Sequence, residues 1–160
     1  MTIELASFHR MTVLLRECTL KRLNGLSDEL LFRTSADEPH SILWHIGHIT
    51  MATDAMLFPG CRTISPLPAY FAADFAPGSS PAQWGQMPPV PEVKRHFREQ
   101  PFRVMRSLQA GKFDASYRHV QIAPDFAVRS IEEAVVFNMA HEGFHFAAVT
   151  NLLVKMNVPI

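Results

Sequence analysis

The sequence is short of cysteine, of unbalanced charge and of long apolar runs. Two cysteines, Cys18 and Cys61, are too few for a disulfide framework, so cysteine usage fits a reducing cytoplasm. Lys plus Arg match Asp plus Glu at 15 each, with no charged tail, and nothing points to nucleic acid or an anionic membrane. No apolar run reaches the ~20 residues that a membrane-spanning helix needs. The opening stretch MTIELASFHRMTVLLRE carries Glu4, His9 and Arg10 inside its apolar pattern and does not read as a signal peptide.

What is present is globular: 160 residues, 48% hydrophobic and 19% charged, read as a single domain over 1–160. Periodicity predicts helices over residues 3–24, 41–58, 92–110 and 131–156. In the first, Leu5, Phe8, Met11, Leu15 and Cys18 form the apolar stripe, which makes Cys18 a small core residue. Asn24-Gly25 stops it, and Ser27 caps a short turn over DELLF. Ser41 caps the second helix and Pro59-Gly60 ends it; Asp54, its only ordinary charge, is expected in solvent. Pro101 is expected to kink or split the third. Ser130 and Glu133 make a capping-box pattern before the fourth.

Residues 59–91 hold eight of the twelve prolines, with Tyr70, Phe71, Phe75 and Trp84 interspersed. Repeated proline blocks long helices, and the aromatics argue for an ordered loop that packs on the bundle or walls a pocket. Within it, SSPAQW can form one turn with Ser80 as cap. The only strand signal is YRHVQIA, residues 117–123. The fold class is therefore all-α: a four-helix bundle with a long Pro/aromatic-rich crossover between its second and third helices. The first and second helices, and the third and fourth, are expected to be antiparallel neighbours.

Chemistry concentrates in the histidines. On the last helix Ala134, Asn138, His141, His145, Ala148 and Leu152 recur at three and four, so His141 and His145 lie one turn apart on an apolar face. Two imidazoles at that spacing can share one metal ion. Asn138 is a candidate hydrogen-bond donor to them. In SILWHIGHIT, His48 shares a stripe with Trp44, Met51 and Ala55 and is the best third ligand. His45 lies about 60° around that helix. It either faces the pocket edge or serves as an alternate ligand; His45→Ala is expected to retain metal. His40 is read as a loop residue near the site, and His9, His96 and His119 as solvent-facing. Three imidazoles from two helices would leave coordination positions open, the arrangement of catalytic sites. Affinity should fall below pH ~6.5, where free imidazole protonates. HEGFH also satisfies the His-Glu-x-x-His pattern of zinc proteases, but no further ligand follows it, and Glu142 is read as an exposed charge.

HSILWHIGHI entering the second helix, the Pro/aromatic crossover and an inward His-x3-His pair on the last helix together resemble the DinB-like (DinB/YfiT) superfamily over nearly the full length. The resemblance implies an up-down-down-up bundle, often a homodimer, and a divalent metal, commonly zinc or nickel, on His48, His141 and His145. It implies a small-molecule substrate such as a low-molecular-weight thiol, with transferase or hydrolase chemistry. A non-catalytic metal-binding or stress-associated module is the alternative. Where the family often has Gly-Gln after its final ligand, this chain has Phe146, Ala147 and Ala148.

Overall fold

Three serines start helices by accepting a backbone N–H three residues on: Leu30 to Ser27 at 3.4 Å, Trp44 to Ser41 at 3.2 Å and Glu133 to Ser130 at 3.2 Å. The computed structural model describes residues 5–35, 37–60, 64–113 and 117–159; Cys61 lies outside them. The helices are α1 (Leu5–Arg22), α2 (Asp28–Phe32), α3 (Ile42–Gly60), α4 (Tyr70–Asp74), α5 (Val90–Gln109) and α6 (Ile131–Lys155). A 3₁₀ turn spans Pro81–Gln83, where the Gln83 side chain accepts the Ser80 N–H at 2.8 Å. The strand signal becomes a small antiparallel hairpin, β1 (Val120–Ala123) and β2 (Phe126–Val128). The protein is an all-α bundle of α1, α3, α5 and α6. No helix among the described residues is long and apolar enough to cross a membrane.

Side-chain pairs give the helix directions. Along α1 and α6, Arg16 meets Glu142 and Arg22 meets Thr150, so these helices run parallel. Thr50 with Gln100 and Asp54 with Arg103 make α3 and α5 parallel. His45 with His145 and Met56 with Asn138 make α3 and α6 antiparallel. His9 with Phe102 and Arg16 with Phe97 do the same for α1 and α5. The order is up-down-down-up. Each of α1 and α3 packs on both α5 and α6, so α1 and α3 stand diagonally rather than side by side, as do α5 and α6. The expected pairing of consecutive helices is corrected: the long crossover lets α5 enter between α1 and α3.

The buried face of α1 also differs from the apolar stripe. Phe8, Thr12, Arg16, Thr19 and Leu20 are buried, while Met11 is exposed and Cys18 half-buried beside Lys21 and Arg22. Polar Arg16 can take an inward position because it is paired there. Asp54 is likewise buried at 1% exposure, accepting from Gln100, from Arg103 Nη2 at 3.1 Å and from Ser65 at 2.8 Å. His96 is buried against Glu92 and Arg95. The apolar stripe leaves out Arg16, and the sequence reads Asp54 and His96 as solvent-facing; ion pairs and hydrogen bonds bury all three.

Pro101 does not split α5, which is continuous. Having no N–H, it leaves the Phe97 carbonyl without its helical donor, and Arg16 Nη1 donates to that oxygen at 2.8 Å. The crossover packs onto α3 through Phe71 and Phe75, both fully buried. The Trp84 indole fixes its fold by donating to Asp74 O at 2.8 Å.

Candidate metal centre

Three histidines converge in the bundle. One ligand nitrogen from each of His48, His141 and His145 lies within 4.8 Å of the others. His48 comes from α3 and the other two from α6, one turn apart. His145 Nε2 and His141 Nε2 are 2.9 Å apart. His48 Nδ1 donates to the Phe75 carbonyl at 2.8 Å, which leaves its Nε2 bare. The ring of Trp44 stacks on His48 at 4.5 Å and 11°.

The crossover delivers that Phe75 carbonyl, and Gly47 permits it. A Cβ at Gly47 would stand 2.4 Å from the buried Phe75 ring, so only glycine allows this approach. Two more bonds tie the crossover to the entry of α3. Trp44 Nε1 donates to Ser79 Oγ at 3.0 Å, and His40 Nε2 donates to Ser79 O at 3.2 Å. His40 also stacks on Trp44 at 3.9 Å. The aromatic residues of the crossover therefore pack it onto the bundle, and Phe75 serves the site through its backbone.

The donor set suits a cation. Burial, reinforced by neighbouring imidazoles, pushes His145 down to about 2 and His141 to about 4. Burial lowers His48 too, against the opposing bond to Phe75 O. All three are thus neutral near pH 7, the form in which imidazole ligates. One shared ion can satisfy the three imidazole nitrogens that face one another here. The residues present fit a metal ion.

His45 sits behind His145. Its Nδ1 meets His145 Nδ1 at 2.9 Å on the side away from His141, and it stands outside the triad. Burial and the nearby His40 and His48 lower it to about 4. Asn138 does not donate to the triad; its Nδ2 turns back to Ala134 O at 2.7 Å. Glu142 is not an exposed charge but 4% exposed, its Oε1 accepting from Arg16 Nε at 2.7 Å and from Arg16 Nη2. α6 packs on both α1 and α3, so its inward arc is wide enough to turn His141 and His145 toward one and Glu142 toward the other. That pair occupies Glu142 away from the triad, so HEGFH does not carry the geometry of a zinc-protease motif. The Arg16–Glu142 pair was invisible to a pattern search, though Pro101 signalled a free carbonyl inside α5.

An all-α bundle with three inward imidazoles on two antiparallel helices defines the class. The chain belongs to the DinB superfamily, whose family model matches residues 11–149. No curated protein matches the sequence.

Proposed function

We propose that the protein is a divalent-metal enzyme holding its ion on His48, His141 and His145 and activating a water or a low-molecular-weight thiol, for transfer or hydrolysis. One observation carries this reading: the three ligand nitrogens lie within 4.8 Å of one another. A divalent ion bound by neutral ligands keeps its full charge, and so acidifies a water or thiol brought to it. Imidazole donors suit zinc and nickel alike.

The chain's own residues prepare the site. Phe75 O holds His48 in one tautomer. The Trp44 ring covers one face of His48 and keeps water off it. His141 is the half-buried member of the triad, which marks the side from which a small molecule arrives. Beyond it lie Phe137, 5.5 Å from His141 between ring centres, and Phe126, 5.6 Å from Phe137, an apolar path toward the hairpin.

The test is elemental analysis of the purified protein with each ligand changed to Ala. One equivalent of divalent metal in the parent and loss in each of the three variants is expected. Full stoichiometry in any variant removes that residue from the site. Metal without turnover across thiol-transfer and hydrolysis substrates would leave a metal-holding module.

A further inference from the structure

We propose that His45 is a positioning residue for His145, acting as the acceptor of its outer proton, and that one buried water relays His45 to the Glu142 carboxylate. The proposal rests on the metal reading above. It concerns which tautomers the chain must adopt once His145 Nε2 faces an ion.

Protons can be counted along a line of atoms from the triad outward. His145 Nδ1 and His45 Nδ1 are 2.9 Å apart, and two nitrogens at that distance share a single proton. His145 Nε2 is the atom on the triad side, 2.9 Å from His141 Nε2. A ligating Nε2 carries no proton, so neutral His145 carries its proton on Nδ1 and donates it to His45. His45 Nδ1 then accepts, and neutral His45 must carry its own proton on Nε2. That Nε2 is buried and has no hydrogen-bond partner. A buried N–H left unpaired costs free energy that a partner would recover.

The structure offers the missing partner a place. A void of about 10 Å³ lies against His45, and its lining includes Thr19, Glu142 and His145. That volume is about one water, and a buried water needs polar neighbours. Here it accepts from His45 Nε2–H and donates toward the Glu142 carboxylate. Thr19 Oγ1, which donates to Leu15 O at 2.9 Å, retains lone pairs for it. Glu142 is itself immobile, held by Arg16, which is anchored in turn on Phe97 O at 2.8 Å. The line runs from His145 through His45 and one water to a fixed buried carboxylate.

The three ligands thus differ in their outer partners. His48 has a backbone carbonyl, and His145 has a second imidazole. His141 Nδ1 is buried without a partner. Outer hydrogen bonds of this kind orient metal-bound imidazoles, and losing one typically lowers metal affinity by about 10–100-fold.

The experiment measures zinc affinity by chelator competition and imidazole tautomers by nitrogen NMR in the zinc-loaded full-length protein. His45→Phe keeps the ring's bulk and removes the acceptor; His45→Gln keeps an amide oxygen that can accept. Zinc affinity about 10–100-fold weaker in His45→Phe, largely restored in His45→Gln, supports the proposal. So does a parent spectrum with the proton of His145 on Nδ1 and that of His45 on Nε2. Affinity within two-fold of the parent in His45→Phe, or His45 protonated on Nδ1 in the zinc form, overturns it. If the variants fail to fold, the parent spectrum alone decides between these outcomes. A parent that binds no zinc or nickel defeats the metal reading itself, whereas a parent that binds with His45→Phe unchanged defeats only the role of His45.

Discussion

Arg16 Nη1 donates at 2.8 Å to the Phe97 carbonyl, the one that Pro101 strips of its helical partner. A proline in α5 thereby creates an anchor for a cation in α1. The same guanidinium holds Glu142, on the turn that carries His141 and His145. A substitution that looks remote from the histidines therefore acts on their helix.

Truncating one side of this pair leaves the other charge buried and alone. Glu142→Ala is expected to destabilise the fold by about 3–5 kcal/mol, because an uncompensated buried charge is worse than none. Replacing both, as Arg16→Met with Glu142→Leu, should cost clearly less than the two single changes added together. Urea unfolding of the two singles and the double checks this. An additive double would show that the charges are uncoupled.

Gly47→Ala inserts a methyl where the Phe75 ring already stands. Overpacking of this kind costs about 1–3 kcal/mol. Because Phe75 O also holds His48, zinc affinity should fall together with the melting temperature. A loss of stability with unchanged affinity would separate the crossover from the site.

Acid should unfold the metal-free protein early. His45 and His141 are pushed down to about 4 and His145 to about 2 by burial, against about 6.5 in the unfolded chain. Between those values the unfolded state binds more protons, so stability rises with pH. Their contribution is complete above about pH 6.5 and is lost as pH falls toward 4 for His45 and His141 and toward 2 for His145. Each contributes a slope of up to ~1.4 kcal/mol per pH unit in that window. Denaturant midpoints from pH 4.5 to 7.5 read this directly, and a flat profile would show that the histidines titrate in the fold as they do in the unfolded chain. The lowered values also move direct competition between protons and metal below the pH ~6.5 expected for free imidazole.

Zinc at about 100 times its dissociation constant should stabilise the protein by ~2.7 kcal/mol. For a domain of this size that raises the melting temperature by about 5–10 °C. A chelator should reverse the shift, and His141→Ala should abolish it. Equal melting with and without zinc in the parent would mean that the folded state has no site.

Much of this was legible in order and spacing. Helix starts followed from Ser27, Ser41 and Ser130, because a cap is a local hydrogen bond. His48, His141 and His145 could be picked out because their apolar stripes are local periodicities. The stripe method failed at Arg16, Asp54, His96 and Glu142. Each is a polar side chain buried by a partner 4 to 126 residues away, and hydropathy carries no information about partners.

Local chemistry along the chain determined the helices, their caps and the inward turn of the three imidazoles, since these depend on neighbours within a few residues. Only the tertiary structure decided that α1 and α3 stand diagonally, that Phe75 reaches His48 across Gly47, and that His45 backs His145. Those relationships join atoms on different elements, and they exist only once packing has chosen which faces meet.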